Sequence, residues 1–336
     1  MKRTHLLTTL LALLALTVNA FAQDNTPTFP DYYAAADGKK GAELKTALCT
    51  IIRANLNDNV VSYSPGLWNA YPKTDARGDG KVWDMYSDIS NFTFGTDQDT
   101  GTNVSEGVRY NREHSFPREW FGGAVAPMNT DLFHVYPTDK VVNGNRASFP
   151  FGETNGSNKD SHNHFSKLGT CTVSGYTGTV FEPNDIYKGD FARTYFYMVT
   201  CYENSLSSWT KGQEHTLDGS KYPAFQAWQL SMLMKWAQND PIDQPIAKET
   251  PRNEEVAKIQ KNRNPFIDYP GLEEYIWGSM MDVAFSYDNY QQPTAIMTVK
   301  TDHRYNDGLM YNTSGQVVDK SYKGIVIVNG KKYINR

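Results

Sequence analysis

Cysteine is scarce in this chain: three in 336 residues, at Cys49, Cys171 and Cys201, with no Cys-x-x-Cys step. That excludes a disulfide-stapled miniprotein and the common cysteine-based zinc frames. An oxidising compartment would permit one disulfide and leave one thiol over, and the spacing does not choose the pair. Long apolar runs are absent beyond the first residues, so no later stretch is suited to span a bilayer. A surplus of basic charge is absent too: 33 Lys and Arg stand against 37 Asp and Glu, a net charge of −4. Such a chain is not a general polyanion-binding surface. It can still be an enzyme acting on nucleic acid, because a bound cation supplies positive charge at a single phosphate. What is abundant is aromatic: 13% of residues, with 21 Tyr. The length suffices for one large domain or two smaller ones with a substantial core.

Residues 1–22 read as a secretory signal peptide rather than as part of the fold. Lys2 and Arg3 precede a Leu/Ala-rich run from Leu6 to Val18, and Ala20-Phe21-Ala22 is a small-x-small cleavage site. Its removal takes two basic residues and no acidic ones, moving the net charge from −4 to −6. The expected localisation is therefore secreted, extracellular or cell-surface, with the periplasm as transit or as the alternative.

After a short polar lead, Gly41 to Leu56 has helical periodicity, with Leu44, Leu48, Ile51, Ile52 and Leu56 on one face. Residues 57–105 carry turn chemistry around a short buried element, and 152–170 is Asn/Ser/Gly-rich and predicts an exposed loop. Aromatic stripes predict helices over Phe191–Glu203 and Ala224–Gln238, packed as core. "PRNEEVAKIQ" and "GLEEYIWGSM" predict two more. Composition changes near residue 285, which sets the expected domains: 23–285, and a small β-rich tail at 286–336 containing "IMTVKT" and an Asn329-Gly330 hairpin step.

Chemistry-bearing residues concentrate in three neighbouring stretches: "YNREHSFPREWF", "DLFHVYPTD" and "KVVNGNRASFPFGE". Hydrolysis of a phosphodiester needs a base for water, and histidine titrates near neutrality. It also needs positive charge at the phosphate and the leaving oxygen. Mg²⁺ prefers oxygen ligands, few of them from protein. Glu113 and the amide oxygen of Asn143 could supply two, His114 could take the proton, and Arg146 or Arg112 could hold a phosphate oxygen. Adjacent side chains on a strand point to opposite faces, so Glu113 and His114 could flank one phosphate only where the strand ends or bends. On residue types alone, a satisfied structural histidine is the blander alternative.

Those stretches, together with "YYAAADGKKGAELKTAL", "VWDMYSD", "GYTGTVFEPNDIYKGDFARTYFYM" and "QKNRNPFIDYP", resemble the bacterial endonuclease I family, of the His-Me finger or ββα-metal class. The likeness runs from about Asp31 to Gly278. It implies an α+β fold with a ββα-metal core inside mostly helical segments. It implies a secreted, largely sequence-nonspecific nuclease of DNA and possibly RNA, leaving a 5′-phosphate and a 3′-hydroxyl. The matching positions make His114 the general base and Glu113 and Asn143 the ligands of Mg²⁺, with Ca²⁺ or Mn²⁺ as substitutes. They make Arg146 a phosphate-binding or structural arginine. Arg112, Asp131, His134 and Arg193 are further candidates, as supporting or phosphate-binding groups. Phe133 stands where many relatives carry His, and Arg118 is the only arginine of the short segment 115–130.

Other readings come from the same residues. One is an inactive nuclease scaffold that binds DNA or a surface. Another is a zinc hydrolase built on His134 and Asp131 with a further histidine. His162 and His164 sit in a polar loop without a third ligand, His215 and His303 are expected at the surface, and Arg193 could reach the site or pair with Asp190. The tail resembles the C-terminal sorting modules of secreted proteins from Bacteroidetes-type bacteria, implying contact with secretion machinery. The expected oligomeric state is a monomer.

Overall fold

The computed structural model describes residues 26–99, 104–242, 249–293, 310–312, 317–319, 321–328 and 331–335. The expected signal peptide, "IMTVKT", His303 and the Asn329-Gly330 step lie outside them. The chain divides into two compact units, Met1–Gln291 and Gln292–Arg336.

The first unit is α+β. Its helix α1 (Gly41–Arg53) stops before the predicted Leu56, and a separate turn of helix, α2 (Leu56–Asn59), follows. Leu44, Leu48, Ile51 and Ile52 are buried on one face of α1, the face that the sequence periodicity marks. Helix α3 (Gly66–Thr74) lies within a stretch whose turn chemistry gives little warning of it. Strand β1 (Tyr110–His114) and strand β2 (Val135–Asp139) pair antiparallel, with Glu113 opposite Tyr136 and His114 opposite Val135. Helix α4 (Lys140–Arg146) begins at the residue after β2.

That abrupt strand-to-helix turn is held by Asp139. Its side chain accepts from the amides of Val141 and Val142, capping α4, and its other oxygen accepts from Gly107 N at 2.7 Å. Asp84 accepts from the amide of Asp139 at 3.0 Å. Pro137 in β2 faces Arg112; the pair is a two-stranded sheet, so the missing proline donor breaks no inner ladder.

Next come β3 (Lys167–Thr170), β4 (Thr179–Glu182) and α5 (Lys188–Cys201). The segment 152–170, predicted as a loop, thus ends in a strand. Helix α5 is buried nearly all round, from Phe191 through Cys201, and is the axis on which the unit packs. It starts three residues before the predicted Phe191 because Asn184 caps a 3₁₀ turn, Asp185–Tyr187, that runs straight into it. A short α6 (Thr210–Gln213) precedes α7 (Ala227–Asn239). The predicted start at Ala224 fails because Ala224 has φ of +77° and Gln226 is extended. Helices α8 (Glu249–Gln260), α9 (Pro265–Asp268) and α10 (Leu272–Ile276) close the unit. Cys49, Cys171 and Cys201 are all free and buried. Among the described residues, no helix is long and apolar enough to cross a membrane.

The second unit is a four-stranded antiparallel sheet of β5 (Met310–Asn312), β6 (Val317–Val318), β7 (Gly324–Val328) and β8 (Lys331–Asn335), in the order β6-β5-β7-β8. Val328 pairs with Lys331 across the expected hairpin position.

Candidate active site

Strand β1, the loop after it and helix α4 enclose a cavity of about 200 Å³, whose lining includes Tyr63, Arg112, Glu113, His114, Arg118 and Asn143. Glu113 and His114 share this cavity although they are consecutive, because His114 is the last residue of β1 and the chain turns at Pro117 into a 3₁₀ segment, Arg118–Phe121. Aromatic packing fixes that turn: Phe116 contacts Trp120, Tyr195 and Trp209 at centroid distances of 5.2, 5.1 and 5.4 Å.

Arg146, on the last turn of α4, lies beneath the cavity and is 1% exposed. Its Nη1 donates to Glu113 Oε1 and to the carbonyl of His114, each at 2.8 Å. Its Nη2 donates to the carbonyl of Ser115 at 2.6 Å. One guanidinium therefore grips the carboxylate and the two carbonyls that follow it. The planar fork suits such a set of acceptors. Of the phosphate-binding and structural alternatives for Arg146, its placement favours the structural one: both Nη nitrogens donate to protein acceptors, and it is not among the residues that line the cavity.

Glu113 Oε1 also accepts from the Tyr86 hydroxyl at 2.8 Å. Its Oε2 accepts no hydrogen bond from the described residues, nor does the Asn143 side chain make one. Burial pushes the Glu113 carboxyl up, while Arg146 and then Tyr86 pull it down. A carboxylate oxygen and an amide oxygen, both without protein partners and both lining one cavity, are hard-cation donors, and the remaining space admits water and phosphate oxygens. The residues present thus fit a divalent cation of the Mg²⁺ type.

His114 Nε2 lies 2.9 Å from the carbonyl oxygen of Asn129. Its ring stacks on Tyr63, with centroids 6.2 Å apart and planes at 15°. Burial, and then His134, hold the imidazole pKa down to about 3, so the ring is neutral at ordinary pH. Nδ1 has no partner among the described residues.

Of the other sequence candidates, Arg112 lines the cavity, and Asp131, His134 and Arg193 do not. Arg112 is sandwiched between Tyr63 and Trp68, its guanidinium carbon 3.8 and 4.3 Å from their ring centroids. It donates to Tyr63 O at 3.1 Å and faces Asp99 at 3.6 Å. Asp131 is fully buried and accepts from Tyr197, Tyr202 and Gln260 at 2.8, 2.6 and 2.8 Å. It is a structural acceptor. His134 is buried with Nε2 on Met128 O at 2.6 Å, and burial lowers its pKa to about 4. Asp131 is thus committed to protein donors, which leaves the zinc reading without its carboxylate ligand. Among the described residues no three His, Cys, Asp or Glu side chains converge as metal donors. Arg193 pairs with Glu249 at 2.5 Å and donates to Asp240 O at 2.9 Å; it does not reach the cavity. Phe133 is buried against Tyr197 at 4.7 Å, facing α5. His162 and His164 are paired with Asp88 and Asp160, each at 2.8 Å.

Two groups escaped the sequence reading, and a third, Arg118, was named there without a place in the site. The Asn129 carbonyl and the Tyr86 hydroxyl orient His114 and Glu113. Arg118 is exposed on the cavity wall, has no ion pair or hydrogen bond from its side chain among the described residues, and is close enough to lower the pKa of His114. Its residue type was visible, but its position beside His114 depends on the Pro117 turn.

The endonuclease I family model matches residues 40–271, which include β1, β2, α4 and the whole cavity. The chain belongs to the endonuclease I family. It is 34% identical over 251 residues to an extracellular ribonuclease of Bacillus amyloliquefaciens, covering 73% of this chain and 78% of the relative. It is 33% identical over 271 residues to an extracellular ribonuclease of Bacillus subtilis (strain 168), covering 79% and 84%. An extracellular deoxyribonuclease of Aeromonas hydrophila matches at 28% over 141 residues, 42% of this chain and half of the relative. This endonuclease I family protein is thus a secreted nuclease, hydrolysing phosphodiester bonds of nucleic acid. The inactive-scaffold reading falls away with that assignment.

Proposed function

We propose that the protein is a divalent-cation-dependent, largely sequence-nonspecific endonuclease that cleaves both RNA and DNA, with His114 as general base. One observation carries the reading: the Asn129 carbonyl can only accept, so the proton of the neutral His114 ring is on Nε2 and the lone pair is on the unpartnered Nδ1. A β1–β2–α4 unit that brings Glu113, His114 and Asn143 to one cavity supports a ββα-metal core.

In this mechanism Nδ1 takes a proton from water. The water oxygen forms the new bond to phosphorus while the bond to the 3′-oxygen breaks in line; that oxygen takes a proton from solvent water and ends as a hydroxyl, leaving a 5′-phosphate, and the Nδ1 proton returns to solvent. Arrival of the phosphodiester puts negative charge beside the imidazole and raises its pKa toward the useful range. The Asn129 carbonyl keeps the imidazolium oriented once it forms. Arg118 holds a non-bridging phosphate oxygen. Glu113 and Asn143 would hold a divalent cation of the Mg²⁺ type, which supplies charge stabilisation for the leaving oxygen when bound. Arg146 positions Glu113 and the backbone of His114 and Ser115 without touching substrate. The cavity addresses phosphate rather than base edges, which supports indifference to sequence.

Cleavage of RNA and plasmid DNA by the full chain, with and without EDTA and across Mg²⁺, Mn²⁺ and Ca²⁺, tests this. Cation-independent cleavage would overturn the ligand assignment. The Bacillus relatives' names favour RNA as one substrate and the Aeromonas name favours DNA as another. The unit Gln292–Arg336, by its sequence likeness, would serve export or surface attachment. Its deletion should change where the protein is found and leave cleavage intact.

A further inference from the structure

A second cavity, of about 560 Å³, lies next to the first and has a different character. Trp68, Phe94, Pro65, Pro72, Asn69 and Gln98 are among its walls, and among the described residues no charged side chain lines it. Trp68 and Phe94 both rest edge-on against the buried Tyr110, with centroids 5.7 and 6.2 Å away and planes at 85° and 83°. Both remain half-buried, so each is braced by the core and partly open. The Tyr110 hydroxyl donates to Gln98 Oε1 at 3.3 Å. That sets the amide so that its Nε2 donor is left without a partner among the described residues. The Asn69 side chain also has none.

The two cavities share a wall. Tyr63 lines the first and Trp68 the second, and the Arg112 guanidinium is stacked between them at 3.8 and 4.3 Å. Tyr63 in turn stacks on His114. A chain whose phosphate meets His114 therefore has an uncharged aromatic recess beside it, entered past a ladder of π-faces.

We propose that this recess is a subsite for an unpaired nucleobase of the substrate strand, flanking the scissile phosphate, and that it gives the enzyme a preference for single-stranded or locally unpaired nucleic acid. The proposal rests on the nuclease mechanism assigned to the neighbouring cavity. Aromatic walls bind any base through its π-face, which matches a nuclease without sequence preference. The volume falls within the roughly 300–1,000 Å³ usual for small-molecule sites. A base inside a duplex has both faces covered and must be unstacked before it can enter, so the subsite discriminates against duplex. The free Gln98 Nε2 offers its N–H donors to acceptors on a base edge without requiring a particular base.

Fluorescence anisotropy tests this on the full chain in EDTA, which separates binding from turnover. The probes are a labelled short oligothymidylate, the same oligonucleotide with internal abasic sites, and a duplex of equal length. The wild type should bind the base-bearing strand about tenfold more tightly than the abasic one, at the low end of base–aromatic stacking. Trp68→Ala should remove most of that difference and lower the single-strand-to-duplex preference by a similar factor. Phe94→Ala should act in the same direction, and Trp68→Phe should retain most of the preference. Equal wild-type affinity for base-bearing and abasic strands overturns the proposal, and that comparison needs no variant. So does a Trp68→Ala loss that is the same for both strands. Base-dependent binding without cation-dependent cleavage would sink the mechanism and keep the subsite. Cleavage without base-dependent binding would do the reverse.

Discussion

His114 Nε2 faces the carbonyl oxygen of Asn129 at 2.9 Å, and this contact decides which ring nitrogen can act as a base. A carbonyl has no proton to give, so Nε2 carries the hydrogen and Nδ1 keeps its lone pair for water. The orientation is fixed before any substrate arrives, by a group with no side-chain identity.

The pH dependence follows with a definite sign. Burial lowers the His114 pKa to about 3, so the neutral, proton-accepting form dominates at every pH above that value. A histidine at its usual 6.5 or so would lose its base form below that pH. The profile of kcat/KM, which reports the free enzyme, should therefore carry no acid limb near 6.5 from this residue. It should remain high down to about pH 5 under saturating cation. A limb centred near 6.5 would contradict the assigned environment of His114.

Arg146→Met should unfold the site rather than only slow it. The change leaves the Glu113 carboxylate and the carbonyls of His114 and Ser115 without their shared donor. Losing one member of a buried pair typically costs about 3–5 kcal/mol. Urea denaturation should show a destabilisation of that order, with activity lost in parallel. Arg146→Lys should recover little, because an ammonium cannot reproduce the fork.

Asn143→Ala should separate cation binding from stability. The side chain makes no hydrogen bond to the described residues, so unfolding free energy should change by no more than about 0.5 kcal/mol. The cation concentration needed for half-maximal cleavage should rise at least tenfold. A fall in stability with an unchanged cation requirement would make Asn143 a structural residue.

Arg118→Ala should weaken substrate capture in a salt-dependent way. An exposed, unpaired guanidinium on the cavity wall contributes to stability at most weakly. Removing one phosphate contact should reduce the slope of log affinity against log salt by about 1. An unchanged slope would place Arg118 outside the phosphate path.

How much of this the sequence discloses depends on how local each interaction is. Glu113, His114 and Asn143 are brought together by a strand, a strand and a short helix within one contiguous stretch, so their residue types and order point to the site directly. Arg146 is equally visible, but its role is not. Its partners include two backbone carbonyls more than thirty residues upstream, and every residue has a carbonyl. The Asn129 carbonyl is unreadable for the same reason. Tyr86 is one of 21 tyrosines, and nothing in its local pattern separates it from those that only fill the core. Asp131 and Arg193 look functional because charged residues are rarely buried without cause. The cause is tertiary: two tyrosine hydroxyls and Gln260 for one, Glu249 for the other. The helices that periodicity predicts are right in type but displaced at their ends, where a positive φ at Ala224 and the Asn184-capped turn set the boundaries; helix α3, in a stretch of turn chemistry, is not legible.

The most direct test of the central claim is single-turnover cleavage by the His114→Ala full chain, with RNA and plasmid DNA under saturating Mg²⁺ or Mn²⁺ and circular dichroism run alongside. Loss of a general base typically costs about 10²–10⁴-fold, and the account predicts a loss of that size on both substrates with the fold retained. Cleavage within a few-fold of the wild type in a folded His114→Ala protein would contradict it.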